Sequence, residues 1–265
     1  MTATGTVTVN GVPFVLSHGV YSETIMKLSI IIPAFNEEDR IVNTLKQTFA
    51  YLEGQPYQSE VLVISDGSHD QTGPVVGRFS PPEGVSLKFL EYHPNRGKGY
   101  AVRYGMLRGQ GQVIMFMDAD YSVPVSAVED GLELLEEGHH IAIASRAVAG
   151  ANVIQHQSLV REISATLYTF IQNRYLGLGF PDTQCGFKLF TQSVARDLFA
   201  QQKLDSVIFD PEILFLAKRR GYKVGQFPVE WTHDEASRIQ YDSLGKSLFI
   251  FRELFRIRRL HRIKI

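Results

Sequence analysis

A single cysteine, Cys185, and a single tryptophan, Trp231, occur in a chain of 265 residues. One thiol excludes an internal disulfide and a cysteine-based zinc site, and it suits a reducing compartment. Charge of one sign is also missing. The 27 Lys and Arg residues nearly cancel the 28 Asp and Glu, leaving a net charge of −1. The molecule as a whole therefore has no pull toward nucleic acid, and any electrostatic preference is local. Long apolar runs are absent too. The longest, 28–32 and 113–117, have the length of buried strands and fall far short of the roughly 20 residues that span a bilayer. Residues 1–25 lack a basic head followed by an apolar stretch, so they do not read as a signal peptide. No internal repeat or low-complexity tract interrupts the chain.

What is present, 44% hydrophobic and 21% charged residues, is the composition of one globular domain with room for a small appendage. Residues 6–16 alternate around Asn10-Gly11, a type I′ hairpin signal. Met26 stands directly before the first strong strand and is itself a candidate start. Residues 1–25 are accordingly expected to be an accessory hairpin or a leader, residues 26–240 the main domain, and residues 241–265 a basic amphipathic helix.

Strand-like runs at 27–32, 60–65, 85–92, 113–117 and 141–145 alternate with helical spacing after 38, after 70, over 97–107 and over 125–137. Five such alternations with short connections predict an α/β domain with a mostly parallel sheet covered on both faces. Beyond it, helices are expected over 161–176, 193–199 and 211–219, a loop over 181–188, and a strand within 222–231. Ligands of such sheets sit at the carboxyl ends of the strands. Asn36-Glu37, Asp66-Gly67-Ser68, residues 95–99 and Asp118-Ala119-Asp120 all fall there, so they should converge on one crevice.

Two carboxylates one residue apart, Asp118 and Asp120, can hold a hard divalent cation that neutralises phosphate oxygens. Taken alone, an Asp-x-Asp is more often a solvated turn. The apolar strand before this one is what aims it into the crevice. Asn95-Arg96-Gly97-Lys98-Gly99 opens a helix with glycines that let backbone approach a phosphate, and Lys98 adds a positive charge; the spacing is not that of a Walker A loop. Pro33 ends the first strand, and Asp66 can accept a hydrogen bond from a base or ribose. Helix capping is the plainer role for Asn36 and Asp66.

In this order and at these separations, Pro33-Ala34-Phe35-Asn36-Glu37, Asp66-Gly67-Ser68-His69-Asp70-Gln71-Thr72, Asn95 to Gly99 and Asp118-Ala119-Asp120 resemble glycosyltransferase family 2 over roughly residues 27–240. The resemblance implies a GT-A fold, a nucleotide-sugar donor, inversion at the sugar carbon and a divalent cation, Mg2+ or Mn2+. It also implies that Pro33, Ala34, Asn36, Glu37, Asp66 and Ala119 line the donor site, that Lys98 meets the phosphates, and that Asp118 and Asp120 hold the metal. Ser65 departs from the pattern where a second aspartate is common.

Ser145-Arg146, Arg161, Asp182-Thr183-Gln184-Cys185-Gly186-Phe187-Lys188, Phe209-Asp210-Pro211-Glu212 and Val229-Glu230-Trp231 look like the dolichyl-phosphate glucosyltransferases and their polyprenyl-phosphate relatives. That likeness implies one glucose moved from UDP-glucose to a lipid phosphate. The mannose-using relatives often carry Gln where Ser122 stands, and transfer from GDP-mannose is the near alternative. The Gln-x-x-Arg-Trp signature of the processive synthases is absent.

A phosphate monoester is mostly dianionic at neutral pH and needs cations rather than a base. Arg146 and Arg161 suit it, with Asp182 and Gln184 beside them. A soluble or protein-bound hydroxyl acceptor would instead need Asp182, Asp210 or Glu212 as base, and a nucleotide-sugar-binding module without catalysis would need neither. Cys185 is expected to be packed rather than reactive. His233-Asp234-Glu235 follows a strand and reads as a polar loop, either a plain connection or one facing the substrate.

Residues 252–265 carry six Lys or Arg and one acid, Glu253. Leu248, Phe251 and Phe255 share one helical side, and Ile250, Leu254 and Ile257 another. Such a helix either rests on an anionic membrane, which would place the protein at the cytoplasmic membrane face, or docks on the core.

Overall fold

A computed structural model of the chain describes the backbone of residues 5–9, 12–16, 26–154, 159–232 and 244–262, and the side chains of 27–154, 166–232 and 248–262. The first two strands, β1 (Gly5–Val9) and β2 (Val12–Leu16), pair antiparallel with Val9 opposite Val12, which leaves the two-residue connection that Asn10-Gly11 predicts. His233-Asp234-Glu235 lies outside the described residues.

The main sheet has seven strands, β3 (Met26–Ala34), β4 (Gln58–Ser65), β5 (Val85–Glu91), β6 (Val113–Met117), β7 (Ile141–Ser145), β9 (Phe187–Thr191) and β10 (Val224–Pro228). Their order is β10-β7-β9-β6-β3-β4-β5. A separate short pair joins β8 (Asn152–Val153) to β11 (Glu230–Trp231). Each central strand is apolar on both sides because each side meets helices. Ile31, Leu62, Ile64, Ile114 and Phe116 point to one face. That face is covered by α3 (Lys98–Met106), α6 (Gln192–Gln201), α7 (Phe209–Arg220) and α8 (Leu244–Leu260). Their sequence neighbours Ile30, Ile32, Val61, Val63 and Met115 point to the other, under α1 (Ile41–Glu53) and α4 (Val128–Glu136). Both cores thus follow from the two-residue side-chain period of a strand.

Residues 181–188, expected to be a loop, run into β9 from Phe187 onward. This strand enters antiparallel between β6 and β7. Its apolar face is only a few residues long, which is why strand and loop were hard to separate by pattern. Its insertion carries Lys188 into the core, 1% exposed, where Nζ donates to Asp210 Oδ1 at 2.6 Å and to the Cys185 carbonyl at 2.6 Å. A buried pair of this kind holds only because each charge finds its partner.

The chain leaves β3 for β4 and β5 on one side, then crosses back to β6 on the other. The carboxyl ends of β3 and β6 therefore flank a topological switch point, the usual place for a ligand in an open α/β sheet. Thr44 of α1 ties the two ends together by donating to the Ala119 carbonyl at 2.6 Å. The last helix docks: Leu254 and Ile257 are fully buried in the core. Its opposite side exposes Leu248, Phe249, Phe255 and Leu260. Among the described residues no helix is long and apolar enough to cross a membrane.

Close packing of α3 on the sheet gives a direct test. A methyl group at Gly105 would overlap the side chain of Ile31 and crowd Ile64. Gly105→Ala should lower stability by about 1–3 kcal/mol through overpacking. In urea titration the midpoint should fall with the slope unchanged, and Ile31→Ala combined with it should cost less than the sum of the two single changes.

Candidate active site

The first wall of the crevice is two sequence motifs locked together. Asn36 adopts a left-handed backbone, φ 55°, which turns the chain away from β3. Its side-chain carbonyl accepts from His69 N at 2.7 Å, and its own N–H donates to Ser68 Oγ. Glu37 N donates to Thr72 Oγ1 at 2.8 Å and Glu38 N to Asp70 Oδ2 at 3.1 Å, while Glu38 accepts from Gln71 N. Asp70 in turn accepts from Thr72 N and Thr72 Oγ1, at the start of α2 (Thr72–Val76), and so satisfies the first N–H of that helix. Asn36 works across the crevice instead of capping its own helix. Glu37 grips Arg40 through both carboxylate oxygens, each at 2.6 Å.

Asp66 closes the second wall. Its carboxylate, 3% exposed, accepts from Arg96 N at 2.7 Å and Gly97 N at 2.8 Å, and Asn95 donates to its carbonyl. It fastens the 95–97 loop to the end of β4. The glycines of that loop also meet a packing demand. A Cβ at Gly97 would lie 2.5 Å from the Asp205 carbonyl oxygen, and one at Gly99 2.6 Å from that of Ser206. Gly97, with φ 101°, and Gly99 thus let the loop pack against residues 204–206, an approach of backbone to backbone.

Lys98, between these glycines, points its ammonium at the end of β6, with Nζ 2.5 Å from Asp118 Oδ1. Burial alone would lower its pKa, but Asp118, Asp210 and Asp120 together hold it raised, so it stays charged. Asp120 moves up from the ordinary carboxylate range, first through burial and next through the nearby Asp118; hydrogen bonds from Ser122 N and Oγ and the charge of Lys98 oppose the shift. Asp210 is raised as well, by burial before all else, against the pull of Lys188 and Lys98. Lys98 and Lys188 therefore alternate with Asp118 and Asp210, positive against negative.

Gly186 makes room for this. Asp118 N donates to the Gly186 carbonyl at 3.1 Å, and any Cβ at Gly186 would overlap the Asp118 carboxylate. A small pocket beside the pair is lined by Met117, Asp118, Ser122, Val123, Gly186, Phe187 and Trp231.

Arg146 and Asp182 meet at the third wall. Nε and Nη2 of Arg146 contact the two carboxylate oxygens at 2.7 and 3.0 Å, and Arg146 N and Gln184 N donate to the same carboxylate. The guanidinium lies 5.2 Å from the Trp231 ring centroid. Burial would raise the pKa of Asp182, but Arg146 and these hydrogen bonds bring it down to about 2. Cys185 is pushed up to about 12, mainly by burial, so the thiol is inert. Arg161 lies on α5 (Leu159–Leu176), with its side chain outside the described residues.

Of the three carboxylates considered as bases, none is free. Asp182 is ion-paired, Asp210 holds Lys188, and the fully buried Glu212 accepts from Lys203 N and Leu204 N. Sequence reasoning left Gly186 and Lys188 without a role of their own. Their only signal was a glycine and a lysine flanking Phe187 in a motif otherwise read for Asp182 and Gln184.

The sequence model described as Glycosyl transferase family 2 matches residues 29–199. The chain is 34% identical over 258 residues to a dolichyl-phosphate beta-glucosyltransferase of Trichomonas vaginalis, covering 93% of this chain and 77% of the relative. It is 35% identical over 243 residues to a dolichyl-phosphate beta-glucosyltransferase of Drosophila melanogaster, covering 85% and 74%. Among solved structures, glucosyl-3-phosphoglycerate synthase from Mycobacterium tuberculosis, in complex with Mn2+, UDP and glucosyl-3-phosphoglycerate, superposes with a TM-score of 0.60 at 17% identity, over 88% of this chain and 80% of that one. The fold is the expected GT-A arrangement.

The depressed pKa of Asp182 has a pH signature. Its stabilising contribution is present above the unfolded carboxylate pKa of roughly 4 and is lost as pH falls through about 2. That difference amounts to about 2 kcal/mol. In Asp182→Asn the fall in stability between pH 5 and pH 2, followed by urea titration, should flatten by about this amount, and stability at pH 7 should drop.

Proposed function

The chain belongs to glycosyltransferase family 2, and we propose that it moves one glucose from UDP-glucose onto dolichyl or a related polyprenyl phosphate, with inversion to a β-linked product. The observation that carries the acceptor class is the state of the carboxylates. Asp182, Asp210 and Glu212 are buried and already engaged, so a hydroxyl acceptor would find no base among them. A phosphate acceptor needs none, because its second pKa near 6 leaves it mostly dianionic at neutral pH.

On this reading the walls from Pro33 and Ala34 to Asn36 and Glu37, with Asp66 and Ala119, receive the nucleoside and its ribose. Lys98 sits where the diphosphate would lie, held in place by Asp118 and able to pass its charge to the phosphate oxygens. Arg146 keeps Nε and Nη2 on Asp182 and offers Nη1 to the acceptor phosphate, a role that Arg161 and Gln184 would share. An acceptor phosphate oxygen then attacks the sugar's anomeric carbon. The bond from that carbon to the donor diphosphate breaks, UDP departs with the electron pair, and no proton changes hands.

A divalent cation fits this site. Asp120 is raised partly because Asp118 lies close, and a cation shared by the two would relieve that repulsion. Two protein carboxylates would leave the remaining positions of such an ion to diphosphate oxygens and water. Asp118 and Asp120 would hold Mg2+ or Mn2+, whose charge would stabilise the departing diphosphate.

The acceptor's lipid gives the outer face of α8 a purpose. The large exposed apolar residues Leu167 and Phe170 of α5 and Leu248, Phe249 and Phe255 of α8 lie on two helices in contact, and Arg252, Arg256, Arg258 and Arg259 accompany them. These residues support the reading of a peripheral seat on anionic lipid, at the cytoplasmic membrane face. Vesicles containing anionic lipid should sediment the protein and neutral vesicles should not. Phe170→Ser with Leu248→Ser should weaken that binding while transfer to a short, water-soluble polyprenyl phosphate persists.

The central test is transfer of radiolabel from UDP-glucose to dolichyl phosphate, read as label extracted into organic solvent, with GDP-mannose and a lipid-free reaction as comparisons. Label should move from UDP-glucose alone, and only when lipid phosphate is present. Asp120→Asn should cut this by about three orders of magnitude with an unchanged melting temperature. A fully active Asp120→Asn enzyme would remove the pair from the mechanism.

A further inference from the structure

Lys98 is held from behind as well as in front. Residues 202–206 run along the back of its loop and touch it at several points. The Asp205 carbonyl accepts from Tyr100 N at 3.2 Å, and Gln202 Nε2 donates to the Gly99 carbonyl at 2.8 Å. Gly97 and Gly99 lie so close to the carbonyls of Asp205 and Ser206 that neither can carry a side chain without displacing them. Arg103 of α3 adds a hydrogen bond to the Gln202 carbonyl and an ion pair with Asp205, each at 2.9 Å. A shift of this segment is therefore a shift of Lys98.

One carboxylate fixes the segment. Glu212, fully buried on α7, accepts from Lys203 N at 2.8 Å and from Leu204 N at 2.9 Å. His261, at the carboxyl end of α8, brings Nε2 to 2.5 Å from Glu212 Oε1. Further along the same helix, Glu253 accepts from Ser206 Oγ at 3.4 Å, and Leu254 and Ile257 anchor the helix in the core. A single buried acid thus joins the last helix, the 202–206 segment and the loop that carries Lys98.

Resting on the assignment of Lys98 to the donor diphosphate, we infer that Glu212 is a positioning residue for the donor site, and that through His261 the seating of α8 is registered in donor affinity. Glu212 touches no substrate. It acts by setting where the 202–206 segment lies, and so where the ammonium of Lys98 stands relative to Asp118. A misplacement of about 1 Å by a change far from the reacting centre can cost about a hundredfold in rate. The same helix carries the exposed apolar and basic face, so its inner side would couple whatever that face rests on to the donor pocket.

The test is calorimetric titration of the full chain with UDP and with UDP-glucose, alongside melting temperature and steady-state kinetics. Glu212→Gln puts an amide where two N–H groups seek an acceptor, and should weaken UDP binding about tenfold. It should raise the KM for UDP-glucose and leave the KM for the lipid phosphate alone. His261→Ala should weaken UDP binding about threefold, and His261→Gln, whose amide can still donate to Glu212, should recover most of that loss. Leu132→Ala, which opens a cavity in the opposite core layer, should lower the melting temperature without changing UDP affinity.

Wild-type UDP affinity in Glu212→Gln, while Lys98→Met binds UDP poorly, would overturn the inference and spare the assignment of Lys98. Wild-type affinity in Lys98→Met would overturn that assignment and the inference with it. Should Glu212→Gln fail to fold, the histidine pair decides: equal UDP affinity in His261→Ala and wild type would refute the link to α8.

Discussion

The contact between the Lys98 ammonium and the Asp118 carboxylate is the point on which the crevice depends. It joins the amino end of α3 to the carboxyl end of β6 across the switch point of the sheet. Each charge is partly withdrawn from solvent there and meets its opposite. Lys98 stays protonated because Asp118, Asp210 and Asp120 outweigh its burial, and Asp210 is itself offset by Lys188. Breaking the series at one member would leave the next uncompensated. The surrounding structure is correspondingly tight: Gly186 has no side chain because Asp118 fills the space, and Gly97 and Gly99 have none because residues 204–206 do.

This arrangement also limits the chemistry. Carboxylates that look available in the sequence are occupied in the fold, Asp182 by Arg146, Asp210 by Lys188 and Glu212 by backbone N–H groups. Lys98 and Arg146 are held at the crevice by carboxylates of their own, each a cation that a substrate phosphate can share. A site with charge to offer and no spare base matches a donor diphosphate on one side and an acceptor that brings its own negative oxygen on the other. The low pKa of Asp182 belongs to the same logic, since an ionised Asp182 keeps Arg146 oriented.

The periphery has two surfaces of different character. On α8, Leu254 and Ile257 complete the core while Leu248 and Phe255 face outward, so the docking that the pattern allows leaves a second apolar side exposed. Docking and membrane contact were competing readings of residues 252–265 because a helical stripe states only that a side is apolar. Two apolar sides separated by arginines need two partners, and the core supplies one of them.

The five early strands and their helices were legible because long apolar runs with period-two burial leave little choice, and β6 and β7 begin and end where the pattern places them. So was the convergence of Asn36, Asp66, Lys98, Asp118 and Asp120, since strand ends in a parallel sheet must lie along one edge. Two things escaped the sequence. The antiparallel course of β9 did, because strand direction depends on which neighbours close the sheet, and so did the partners of Lys188, Glu212 and Gly186, which lie 22 residues, one helix and one sheet strand away. Local pattern determined which residues carry charge to the crevice. Only the tertiary structure decided which of those charges are already spent on one another, because that depends on distances between segments far apart in the chain.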